Sequence, residues 1–199
     1  MNAGNYGLPV ISFAFGETAL AFASLFFVTS ATYTYSAGVV IASSGHTSVL
    51  KAIKGLLRLP SIYALILGII IVRLGVDLHP TLDRTIDMLA GASIPSMLVL
   101  LGLQFVNIKL DGQLRPLLLV SAMRLLVAPL LAIGLTRLFG MTGPAYQATV
   151  LEAGMPSAVL TTVLATEFDC KPSFVTTVVF ATTLLSPLTL TPLLYFLGA

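Results

Sequence analysis

Residues 145–167 read AYQATVLEAGMPSAVLTTVLATE. The stretch is long and apolar enough to cross a bilayer, because about 20 mostly apolar residues span the ~30 Å hydrocarbon layer. Its middle forbids an ordinary helix. Pro156 offers no N–H and disfavours helix in Met155, while Gly154 takes extended or left-handed backbone at little cost. Together they are expected to unwind the chain near mid-membrane and to free backbone N–H and C=O groups. Hydrocarbon satisfies neither group, so the break must face protein or a water-filled cavity.

The composition around this stretch demands a membrane. Of 199 residues, 57% are hydrophobic and 9% charged, with a mean hydropathy of +1.00. A soluble domain carries about 25% charged residues, so this chain has too few to coat a water-facing surface. Disorder, a collagen-like fibre and a disulfide scaffold are excluded by the apolar content, the aperiodic glycines and the single cysteine, Cys170. A net charge of +2 gives no broad basic face for nucleic acid. The apolar residues run the whole length, unlike a signal peptide on a soluble body. The expected fold class is an all-α integral membrane protein, multi-pass in the bilayer.

Reading between charges gives six candidate spans, at about 18–44, 61–76, 86–105, 116–139, 145–166 and 173–197. Leu8–Phe15, ended by Gly16 and Glu17, is a half-helix too short to cross, since eight residues rise only about 12 Å. Lys51, Lys54, Arg58, Lys109, Arg115 and Lys171 fall on one side of the spans; Arg73, Arg84 and Arg137 fall on the other. The positive-inside rule places the Lys51–Arg58 loop in the cytoplasm and the C-terminus outside. Asp77, Asp83 and Asp87, with Pro80 opening the stretch, are expected to form a short interfacial helix on the outer side.

An internal repeat surrounds the two prolines. Gly7-Leu8-Pro9 is followed by a half-helix, the acidic Glu17 and a long span. Gly154-Met155-Pro156 is followed by 157–166, the acidic Glu167 and the last span, with the prolines 147 residues apart. Paired interrupted helices in matching halves point to the binding site of a secondary transporter. An odd number of crossings separates the copies, so they run in opposite directions: an inverted-repeat transporter with broken crossover helices. The second repeat occupies 61–199, the loop 45–60, and the remainder of the first repeat 1–44. If the second repeat starts near Pro60, about 96 residues precede Pro156 but only eight precede Pro9. The N-terminal repeat is therefore expected to be incomplete, with the chain as the C-terminal two-thirds of a longer transporter, through a fragment, a misplaced start or a degenerate copy.

These residues carry a family likeness. Asn2-Ala3-Gly4-Asn5-Tyr6-Gly7-Leu8-Pro9, with Phe15-Gly16-Glu17 after it, resembles the Asn-x-Gly-Asn-x-Gly-Leu-Pro signature of the auxin efflux carrier family. Ala92-Ser93-Ile94-Pro95 with Leu100–Gln104, Arg124-Leu125-Leu126 with Pro129, and 152–158 are also similar to that family. The resemblance implies ten helices in two inverted five-helix repeats, crossed at broken fourth and ninth helices. It implies export or exchange of small organic anions: auxin in plant members, dicarboxylates such as malate or malonate in bacterial ones. It places carboxylate contacts on the motif asparagines, here Asn2 and Asn5, and carries no such role onto Glu152. It implies a bacterial or archaeal cell membrane and leaves open proton or sodium coupling and a homodimer.

Each candidate residue has a structural alternative. Asn2 and Asn5 carry side-chain N–H groups for a carboxylate at a dipole-favoured anion site, or cap a helix. Gly7, Pro9, Gly154, Met155 and Pro156 supply the unwound backbone that would line the substrate site. Glu152, deep in its span, marks a proton or cation site by default, or else partners Arg124 or the backbone freed by Pro156. Arg124 is about 12 Å into its helix and is either a counter-charge for substrate or Glu152, or a snorkelling side chain. The polar run Thr29, Ser30, Thr32, Tyr33, Thr34, Tyr35 and Ser36 is expected to pack and bond its own backbone. Gln104 and Asn107 are expected at the cytoplasmic interface. His46 and His79 lie on opposite sides, and no Cys, His or carboxylate cluster has metal-ligand spacing. No catalytic motif is present, so an enzyme and a cofactor are not expected.

The expected function is secondary transport of small organic anions, with substrate at the crossing of the two breaks. Proton coupling through Glu152 is a separate expectation. A sodium-coupled bile-acid-type symporter and an inactive membrane fragment or scaffold stand as alternatives.

Overall fold

The computed structural model describes residues 1–38, 41, 60–76, 78–103 and 113–199. Lys51, Lys54, Arg58, His46, Asp77, Gln104, Asn107 and Lys109 lie outside the described residues. Among those described, every regular element is helical and no strand occurs. They form two compact units: Met1–Phe27 with Met97–Ala199, and Val28–Ser96.

The chain enters through a widened π-helical turn, Ala3–Gly7, and continues into α1, Leu8–Tyr33, and a second such turn, Thr34–Gly38. The 36 residues Ala3–Gly38 would measure about 54 Å as one rod, far more than the hydrocarbon layer. Gly16 divides them, with φ 74° and ψ −166°, a backbone that side-chain-bearing residues avoid. The half-helix Leu8–Phe15 therefore ends where its glycine requires. The first copy of the motif itself is not unwound at Pro9: Gly7 and Leu8 donate to Asn2 O (2.9 Å) and Ala3 O, five residues back, and the helix passes through Pro9.

In the second unit, the polar run bonds its own backbone as expected. Thr32, Thr34 and Ser36 donate to the carbonyls of Val28, Ser30 and Thr32 at 2.8, 2.9 and 2.7 Å. Helix α2, Pro60–Leu74, has 15 residues and rises about 22 Å. Helix α3, Pro80–Leu103, has 24 residues and keeps Pro95 inside it. The expected short interfacial helix is corrected here. Pro80 starts the helix, as a first-turn proline can, and the helix continues past Asp87 through Gly91 and Pro95 to Leu103, so the acidic turns run unbroken into the apolar part. Charge marks a change of solvent there, and helix continuity follows the backbone.

In the first unit, α4 (Leu114–Ala122), a π-helical turn (Met123–Val127) and α5 (Ala128–Leu138) make one apolar stretch of 25 residues. Helices α6 (Gly143–Gly154) and α7 (Val159–Glu167) form a pair bent by 48°. Helix α8, Pro172–Leu197, closes the unit and spans 26 residues. Among the described residues, three helical stretches are long and apolar enough to cross a membrane, and the bent pair makes a fourth. Helix α8 packs on α7, α4 and α6, and α6 also packs on α5. The core joins Ile11, Ala19 and Ala23 of α1 to Ala148, Val150 and Leu151 of α6 and Leu190 of α8. The alanines let helices approach closely, which supplies packing where lipid gives no hydrophobic drive. Leu118, Leu130, Leu131, Leu188 and Tyr195 stay exposed on the outside, as lipid-facing side chains do.

Candidate crossover site

The helix opens where its sequence requires. Met155 and Ala158 have extended backbone, with ψ 147° and ψ 146°, and Met155 N–H closes the end of α6 on Glu152 O at 3.1 Å. The freed groups at this buried place need partners, and the fold supplies them from three directions. Arg124 donates Nε to Met155 O at 2.8 Å and Nη2 to Ala153 O at 2.7 Å. Asn2 N–H donates to Pro156 O at 2.7 Å. Ser157 N–H donates to Thr182 Oγ1 at 3.1 Å. Arg124 thus does not snorkel, and it makes no hydrogen bond to Glu152. Its fork caps the open end of α6 with charge-assisted hydrogen bonds, and it stands on the π-helical turn Met123–Val127.

The first motif lies directly on this break. Asn2 is 6% exposed, and its Nδ2 has no hydrogen-bond partner. Asn5 is half-buried on the π-helical turn, while Gly7 and Pro9 are buried. A Cβ at Gly7 would sit 2.5 Å from Glu152 Oε2 and 2.6 Å from Oε1, so the carboxylate rests on the bare Cα. Glu152 is 0% exposed, and neither oxygen has a hydrogen-bond partner. Gly154 is also held close to α8, where a Cβ would lie 2.9 Å from Leu193 Cδ2. The sequence-derived residues Asn2, Gly7, Pro9, Arg124, Glu152, Gly154, Met155 and Pro156 are therefore gathered in one unit of the structure.

Three neighbours escaped the sequence reading. Ser186 Oγ donates to Tyr6 Oη at 3.0 Å and ties the first motif to α8. Thr182, one turn earlier, carries the acceptor for Ser157. Ser121 Oγ, on α4, is buried without a partner. The four-residue spacing of Thr182 and Ser186 on one face of the last span was the available signal. His79 and Cys170 are exposed. Among the described residues, no group of three or more His, Cys, Asp or Glu could hold a metal ion.

The chain matches the family model described as "Membrane transport protein" over residues 44–194. It is 35% identical over 191 residues to an uncharacterized transporter of Methanothermobacter thermautotrophicus, covering 94% of this chain and 61% of that protein. It is 30% identical over 193 residues to an uncharacterized transporter of Methanocaldococcus jannaschii, covering 93% of this chain and 61% of that one. The chain thus spans about three-fifths of the length of the curated relatives it matches. It belongs to the membrane transport protein family, that of the auxin efflux carriers, whose signature its first residues resemble.

Proposed function

We propose that the chain carries the substrate site of a secondary transporter for small organic anions. The observation behind this reading is the opened backbone at 154–158, held between Arg124 and the Asn2-to-Pro9 motif. Arg124 is cationic, and two of its N–H groups are used on the carbonyls. A guanidinium has five N–H donors, so three remain for a ligand. Asn2 Nδ2, buried without a partner beside Pro156, adds a donor suited to a carboxylate. Asn5, Gly7, Pro9, Gly154 and Met155 complete the lining in this proposal. A packed break between rigid helices also suits alternating access, in which one bundle rocks against the other around a fixed site.

The test is counterflow. Proteoliposomes holding the protein are preloaded with malonate, and labelled malonate is added outside at trace concentration. Transient accumulation of label above that of protein-free vesicles is expected. The reading fails if malonate, malate and indole-3-acetate all give the protein-free trace. Sodium-dependent uptake would support the symporter alternative.

A further inference from the structure

We propose that Glu152 is a tethered carboxylate of the crossover site, and that a substrate anion occupies the site only when Glu152 carries a proton. The inference rests on the anion-site reading above and adds its coupling. The carboxylate is fully buried, both its oxygens lack hydrogen-bond partners, and it lies on Gly7, inside the same motif that brings Asn2 to Pro156. A second carboxylate brought here from the substrate would meet a like charge in a site of low polarity, where such repulsion is strong. One proton from solvent on a Glu152 oxygen removes the repulsion: an O–H bond to Glu152 forms as an O–H bond of a hydronium ion breaks, and one unit of substrate charge is offset.

The surroundings favour a proton over a metal ion as the neutralising species. A hard cation gathers roughly six oxygens. The carbonyls of Ala153, Met155 and Pro156 already accept hydrogen bonds, and Gly7 stands directly against the carboxylate. A proton needs no such space. The ionisable groups acting on Glu152 are the Met1 amino group and the Arg124 guanidinium. Arg124 is engaged with the break's carbonyls and holds the backbone while Glu152 changes charge. Of the other elements packed on α6, the first π-helical turn contributes the Tyr6 hydroxyl, bound to Ser186, and α8 contributes Thr182 and Ser186 on its buried side. Helix α5 contributes only Arg137, which is exposed and lies 6.0 Å from the Phe196 ring centre.

The experiment is malonate binding to the purified chain in nanodiscs, by titration calorimetry from about pH 6.5 to about pH 10, for wild type and Glu152→Gln. Malonate is predominantly the dianion over this range, and its own residual protonation at the acid end is measured separately and subtracted. Wild-type affinity is expected to fall as pH rises, by up to roughly tenfold per pH unit, the limit for one linked proton. Glu152→Gln is expected to hold one affinity throughout, at least as tight as wild type at the alkaline end. Repeating the wild-type titration in buffers of different ionisation enthalpy counts the protons directly and needs no variant. Uptake is expected to rise with pH toward one per malonate. A wild-type affinity independent of pH, zero proton uptake, or a variant with the wild-type slope overturns the coupling and leaves the anion site standing. No malonate binding by either protein at any pH overturns both.

Discussion

Replacing Arg124 with methionine tests the claim that this guanidinium holds the helix break together. The substitution keeps a long side chain and removes both donors, so Ala153 O and Met155 O lose their partners at 2.7 and 2.8 Å. Hydrogen bonds to charged groups are worth about 1.5–3 kcal/mol in water-soluble proteins, whereas polar contacts between membrane helices average about 0.6 and reach about 1.7 kcal/mol. Arg124 is only half-buried, and the unfolded chain in a membrane also finds partners, so the lower scale governs. About 0.6–1.7 kcal/mol per bond, and about 1–3 kcal/mol for the pair, is expected. For a chain of 199 residues this corresponds to a fall in Tm of roughly 2–12 °C. Arg124→Lys, whose ammonium is a point donor without the planar fork, should recover about half of the loss. The assay is thermal unfolding in one detergent, followed by accessibility of the buried backbone to hydrogen exchange. A methionine variant that melts within a degree of wild type, with unchanged exchange at 153–156, would refute the capping role.

Two further outcomes follow from the packing. Gly7→Ala places a methyl group 2.5 Å from Glu152 Oε2; it should destabilise by about 1–3 kcal/mol, the usual cost of overpacking. Most of that should return in the Gly7→Ala/Glu152→Ala double variant, and additive losses in a thermal double-mutant cycle would count against the contact. Pro156→Ala restores an N–H and permits helix at Met155; malonate binding should drop at least tenfold while the protein still melts cooperatively, and wild-type binding would show that the opened backbone is dispensable.

What the sequence disclosed follows from the range over which each feature is determined. The opening after Gly154 and the kink at Gly16 are set by the backbone limits of one or two residues, so residue type alone indicated them. The membrane-spanning character of 114–138 and 172–197 is likewise local, written in their length and apolarity. The continuity of α3 through Asp83, Arg84 and Asp87 was misread because charge reports the solvent a helix passes through, not where its hydrogen bonds stop. The partners of the break were hidden for a different reason. Arg124 reaches carbonyls 29 and 31 residues away, and its direction depends on how the π-helical turn rotates it, which no spacing rule reads. The meeting of Asn2 with Pro156 was foreshadowed only by the repeated Gly-x-Pro order; the contact needs the three-dimensional crossing to exist.

The two copies of that motif do unlike work, and the difference explains how the site can be both closed and receptive. The second copy opens the chain and exposes carbonyl oxygens; the first stays helical and contributes an N–H from Asn2 and a bare Cα from Gly7. Donors from the first motif and from Arg124 therefore meet three acceptor carbonyls of the second, at Ala153, Met155 and Pro156. A break that relied on water would be flooded, and its charges would be screened. Here Ala153 O, Met155 O, Pro156 O and Ser157 N–H are held by protein, and the buried side-chain polar atoms without partners among the described residues are Asn2 Nδ2, Ser121 Oγ and the two Glu152 oxygens. In the proposed transport cycle, the Asn2 donor and the ionisable Glu152 acid, set beside a guanidinium already anchored by two bonds, are the groups through which an anion and a proton would be exchanged. The geometry ties their positions to one helix crossing, so a motion that shifts α6 against the first motif must alter both together.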